Sequence, residues 1–149
     1  MALIKLSPIA ETLGVQECQL TDDVYVVTAV PAGDYKNSTG RISGGFLATL
    51  LDDTMARYLA HVLGIQSIMT LSLAVQYLDA AYAGGTLTVS VHISRTGDKI
   101  SYAKGTIEHE GKVVAQAIGT FGHAGPRFRN TEMYSGEDHQ RAPAAGQNT

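Results

Sequence analysis

The sequence predicts an α+β fold: a curved antiparallel sheet of five to six strands wrapped around one long central helix. Three observations predict it. Residues 46–63, "FLATLLDDTMARYLAHVL", run for eighteen residues without Gly or Pro, with apolar residues at 47, 50, 51, 55, 58, 59, 62 and 63, close to the helical period. After residue 66 the period changes from 3.6 to 2, and "GTLTVSVHIS" alternates Leu87, Val89, Val91 and Ile93 with Thr86, Thr88, Ser90 and His92. Short turn signals separate the β-type runs, so the strands return on one another as a meander. Strands with one apolar face must bury it, and the helix is the one large apolar object available to them.

The elements follow in order. "SPIAETLG" opens with a Ser-Pro pair, carries Glu11 and meets Gly14, which predicts a short helix at the flank of the domain. "CQLTDDVYVVTAV", Cys18 to Val30, is rich in strand formers after its acids and is expected as a first strand, punctuated by Pro31 and Gly33. The long helix is expected from Phe46 to about Leu63, ending at Gly64, where a left-handed cap costs little. Strands are then expected over 67–78, 85–94, 100–108 and 113–121, with "RTGDK" and "HEGK" as turns. Beyond Gly122 the composition shifts to Gly, Pro, Asn, Gln and charge, so one domain is expected over residues 1–124 and a flexible tail over 125–149. An open sheet of this size has two free edges, and an apolar edge invites a second copy of the chain.

Composition narrows the function. At 149 residues with 44% hydrophobic residues, the chain is the size of one domain with a real core. A net charge of −3 gives no electrostatic footprint for nucleic acid or an anionic membrane surface. Cys18 is the single cysteine, which excludes an intrachain disulfide and a thiolate cluster. The first residues lack the build of a secretory signal and no apolar run reaches the length of a membrane span, so a cytoplasmic protein is expected. The histidines at 61, 92, 109 and 123 share no ligand spacing, and no metal is expected. The sequence lacks G-x-S-x-G, which argues against a serine hydrolase.

The chemistry concentrates in "NSTGRISGGFLATLLDD", Asn37 to Asp53. N–H groups in the first turn of a helix have no intrahelical partner and sit at the positive end of the macrodipole. Gly44 and Gly45 at that place let a ligand press against the backbone, where an N–H can stabilise a carbonyl oxygen as it becomes an oxyanion. Asp52 and Asp53 lie about 100° apart on the helix and cannot both face one pocket. Arg57 stands four residues after Asp53 and pairs with it most simply, leaving Asp52 without a partner in an apolar helix.

These residues, with the strand "IMTLSLAVQYLDAA" and the ending "GDKISYAKGTI…GKVVAQAIGTF", resemble the hotdog-fold acyl-CoA thioesterases of the phenylacetate-degradation (PaaI-like) type over roughly Ser7 to Phe121. The resemblance implies a homodimer or homotetramer that hydrolyses a thioester to coenzyme A and a carboxylate without a cofactor. It puts Asp52 at the catalytic carboxylate, as the base that activates water or as the attacking nucleophile, Asn37 at the asparagine before the glycine pair and Thr70 at a hydroxyl that holds the nucleophilic water. Gly45 supplies the oxyanion donor. Ser43 and Gly44 adjoin the substrate, and Arg95 and Lys99, with Lys104 near, lie where related proteins meet coenzyme A phosphates. Turn and strand roles for Asn37 and Thr70, and a merely solvated hairpin for the cations, are the plainer readings beside these. Ser43 replaces the histidine usual in the family, exchanging an imidazole for a hydroxyl that can cap the helix. A non-catalytic acyl-thioester binder on the same fold is the alternative that this exchange suggests, and a hotdog dehydratase or hydratase a further one. Met55, Tyr58, Leu59 and Val62 are candidates for an acyl pocket as well as for core.

Seven residues separate Gly45 and Asp52, about 10 Å of helical rise. An attacking water must lie within about 3 Å of both its base and the reacting carbon. One helix therefore cannot present both groups to the same carbonyl, and if both act they come from two subunits across a symmetric interface.

Overall fold

The computed structural model describes residues 4–123. The chain runs α1 (Pro8–Thr12), β1 (Val15–Thr21), β2 (Val24–Ala29), a 3-10 turn (Gly33–Tyr35), α2 (Gly44–Leu63), β3 (Ile68–Tyr77), β4 (Leu87–Arg95), β5 (Ile100–His109) and β6 (Lys112–His123). All strand pairs are antiparallel, in the order β1-β2-β4-β5-β6-β3. This is the hotdog arrangement, one curved six-stranded sheet around one central helix. The expected tail over 125–149 lies outside the described residues.

The 20-residue helix α2, about 30 Å long, buries Phe46, Leu47, Leu50, Leu51, Met55, Tyr58 and Leu59. Against this stripe the sheet sets alternate residues: Tyr25, Val27 and Ala29 from β2, Leu87, Val89 and Val91 from β4, Ala103 and Ile107 from β5, and Phe121 from β6. Period 3.6 meets period 2, and both apolar faces leave water together. Gly64 closes the helix at φ 64°, its N–H returning to the carbonyls of Ala60 and His61. Of the four residues that sequence offers to core or acyl pocket, Met55, Tyr58 and Leu59 are core, and Val62 is exposed.

The first strand is corrected. The stretch expected as one strand from Cys18 to Val30 is a hairpin of β1 and β2, with Leu20 facing Tyr25 across the turn. Asp22 and Asp23 hold positive φ, 49° and 63°, the backbone of a two-residue hairpin turn, which aspartate tolerates without glycine. Glu110 and Gly111 make the corresponding turn between β5 and β6, where "HEGK" predicts it.

One polar cluster stands inside the apolar layer. Arg57 Nε bonds Asp53 Oδ2 at 2.7 Å and Arg57 Nη1 donates to the Tyr25 hydroxyl at 2.6 Å. Ser7 Oγ, which also caps α1, donates to Asp53 Oδ1 at 2.6 Å, tying α1 to α2. Burial, reinforced by Cys18, holds the Tyr25 phenol above its ordinary range. For Arg57, burial acts downward, but bonding and charge from Asp53 outweigh it and the guanidinium stays charged.

Candidate active site

Asp52 and Asp53 point to different surroundings, as their angular separation on the helix requires. Asp53 faces α1 and Arg57, the pairing expected for it. Asp52 turns to β3, where the Thr70 hydroxyl donates to its Oδ1 at 2.6 Å across 18 residues of sequence. Asp52 is half-buried and Thr70 exposed, so the carboxylate has one fixed partner and an open side. A hydroxyl donor holds a carboxylate in one rotamer while leaving its other oxygen to accept from water.

The start of α2 is the second centre. Ser43 occupies the N-cap position, where a hydroxyl can cap the helix, but its side chain makes no cap bond. Its extended backbone instead donates N–H to Tyr35 O at 2.8 Å, and its Oγ stands beside Gly45, 3.6 Å from where a Cβ there would lie. Gly45 is exposed and in the first turn, so its N–H is available to an acceptor from outside. Gly44 is covered by Tyr77: a Cβ on Gly44 would lie 3.1 Å from the phenol carbon, and the Tyr77 hydroxyl donates to Gly44 O at 2.7 Å.

Asn37 stands in the loop ahead of this helix start. Its Oδ1 accepts from Thr39 N, Thr39 Oγ1 and Arg41 N, at 2.9, 2.7 and 3.2 Å. That is a turn-building role, and it leaves the Nδ2 donor for a ligand. Asn37, Arg41, Gly44, Leu47, Tyr77 and Tyr82 line a cavity of about 500 Å³ at this end of the helix. A groove of about 570 Å³ on the outer face of the sheet is lined by Gln76, His92, Lys104 and Gln116 and takes in none of the other predicted site residues.

Arg95 and Lys99 are exposed on the β4–β5 hairpin. Thr70 pairs with Phe121 and Phe121 with Ser101, so that hairpin closes the same end of the sheet as Thr70 and Asp52. Within one copy the predicted residues thus form two groups: Asn37, Ser43, Gly44 and Gly45 at the helix start, and Asp52, Thr70, Arg95 and Lys99 toward the other end. Two contacts escaped sequence reasoning. Tyr77 lies 33 residues from Gly44, and Ser101 Oγ meets His123 Nε2 at 3.0 Å with Gly97 N–H also directed at it. Ser101 is fully buried and its histidine has no carboxylate partner among the described residues, so the pair secures the hairpin rather than forming a nucleophile. His61 sits in the last turn of α2, away from both centres. Among the described residues no three His, Cys, Asp or Glu side chains group as a metal site, and no helix is long and apolar enough to cross a membrane.

The model of the family described as "Thioesterase superfamily" matches residues 39–116, more than half of the chain, including α2, β3, β4 and β5. The chain belongs to the thioesterase superfamily. Among solved structures, this thioesterase-superfamily chain is 28% identical to a phenylacetic acid degradation-related protein of Ralstonia eutropha JMP134, with a TM-score of 0.73 over 80% of this chain and 92% of that one. A conserved protein of Pseudomonas aeruginosa is 26% identical, with a TM-score of 0.71 over 80% and 95%. The PaaI protein of the E. coli phenylacetic acid degradation operon, 22% identical with a TM-score of 0.72 over 80% and 86%, shares the fold. A comparison with curated proteins gives no match.

Proposed function

We propose that the protein is an acyl-CoA thioesterase whose active site is completed by a second copy of the chain. The observation that carries this is Asp52: a half-buried carboxylate midway along the central helix, held by Thr70 at 2.6 Å and, unlike its neighbour Asp53, ion-paired to no cation among the described residues. A carboxylate with one fixed hydroxyl partner, an open side and no cation to neutralise it is suited to chemistry rather than to packing.

The edge strand supports the assembly. β3 ends the sheet, and its ten residues, "IMTLSLAVQY", include no charge and no proline to blunt the free edge. Met69 is 64% exposed, Leu71 51% and Tyr77 52%. Two β3 strands pairing antiparallel about a twofold near their middle bring the Thr70 end of one copy to the Tyr77 end of the other. Asp52 of one protomer then approaches the Gly45 N–H of its partner, the arrangement that the helical rise demands.

In this reading Asp52 takes a proton from water as the oxygen bonds to the thioester carbon. The carbonyl oxygen, now negative, is held by the Gly45 N–H and the positive end of α2. Collapse breaks the carbon–sulfur bond, the thiolate of coenzyme A leaves, and the proton on Asp52 returns to that sulfur. Arg95 and Lys99, at the Asp52 end, meet the phosphates of coenzyme A, and Asn37 Nδ2 orients the acyl end. Asp52→Asn keeps the shape and removes the base. Its thiol release from acyl-CoA esters drops at least about a hundredfold with the dimer intact, and undiminished turnover removes the mechanism. The uncapped Ser43, in place of the family's histidine, favours one other reading, an acyl-thioester binder: wild-type protein that binds the esters without releasing thiol establishes that instead.

A further inference from the structure

The contact between Tyr77 and Gly44 has a consequence for the helix start. The Gly44 carbonyl and the Gly45 N–H belong to one peptide group, rigid and planar, with the two bonds pointing opposite ways and their dipoles adding. Whatever fixes the carbonyl fixes the N–H, and a hydrogen bond accepted by the oxygen polarises the peptide and strengthens its N–H as a donor. Tyr77 Oη donates to Gly44 O at 2.7 Å, and the ring lies on Gly44 so closely that a Cβ there would stand 3.1 to 3.3 Å from three of its atoms.

Resting on the thioesterase reading above, we propose that Tyr77 is a positioning residue of the oxyanion hole: it aims and strengthens the Gly45 N–H through the peptide they share. It acts through that peptide and takes no part in making or breaking bonds. The local setting requires such a brace. Two successive glycines give the helix start its least constrained backbone, and Ser43 makes no side-chain bond to hold it. The brace comes from β3, whose other end carries Thr70 on Asp52, so one strand fixes both centres.

Tyr77→Phe removes only the hydroxyl and keeps the ring on Gly44. In isotopically labelled protein, the Gly44 carbonyl carbon and Gly45 amide proton resonances both move upfield in the variant, while the thermal midpoint and oligomeric state are retained. With acyl-CoA esters, kcat falls about tenfold and KM stays within about twofold, less than the loss expected for deleting an oxyanion donor itself. Unmoved resonances overturn the proposal whatever the activity, and moved resonances with unchanged kcat overturn its part in catalysis. If wild-type protein releases no thiol, the thioesterase reading fails, and the resonances still decide whether Tyr77 sets the Gly45 donor.

Discussion

At the residue scale, the two adjacent acids show how far sequence position determines role. Their angle on the helix separates them, and Arg57 at the fourth residue after Asp53 claims one of them; the structure keeps that pairing at 2.7 Å. The bond from Thr70 to Asp52 was not legible: the resemblance gave Thr70 only as a hydroxyl that holds the water, and no local rule brings residue 70 beside residue 52. Thr70 makes the choice testable. Thr70→Val preserves the β-branched shape and removes the donor, so Asp52 loses its fixed rotamer; kcat is expected to fall about tenfold with stability little changed, and Thr70→Ser to restore most of it. A Thr70→Val enzyme as fast as wild type would show that the carboxylate needs no such hold. The link between Tyr77 and Gly44 was not legible at all: a strand tyrosine and a turn glycine 33 residues apart carry no spacing that joins them.

At the element scale, α2 and the later strands were legible because each has one period sustained between clear stops, down to the left-handed Gly64. The hairpin of β1 and β2 was not, because its turn is Asp22-Asp23 rather than a glycine pair and the valines after it read as one continuous strand. That hairpin matters for stability, since Tyr25 on β2 receives Arg57 from α2 while Asp53 receives Ser7 from the cap of α1. Three elements meet at one ion pair whose side chains are 8% and 10% exposed. Arg57→Met strands the Asp53 carboxylate in that setting and is expected to lower stability by about 3–5 kcal/mol, read from chemical denaturation. Combining it with Asp53→Leu, which removes the orphaned charge, should recover most of the loss; a double variant no more stable than Arg57→Met would put the cost in packing instead of charge.

At the scale of the whole molecule, the geometry poses a question that a single copy does not answer. The proposed donor and base sit at two centres, and the sheet ends in an uncharged, apolar β3 whose free edge is the simplest means of joining two copies. The two-copy proposal starts from helical rise alone, whereas the edge proposed to carry it emerged only from the strand order, which places β3 outside β6 although β4 and β5 lie between them in sequence. Mixing two inactive variants tests the joint. Asp52→Asn lacks the base, and Gly45→Pro lacks the donor N–H at a first-turn position where proline is tolerated. Each homodimer is expected to be inactive. Unfolded together and refolded, they form mixed dimers in which one site carries both defects and the other carries neither, so random pairing returns about a quarter of the wild-type activity. If base and donor instead served the same carbonyl from one copy, every site in the mixture would carry a defect and the activity would stay at the level of the separate variants.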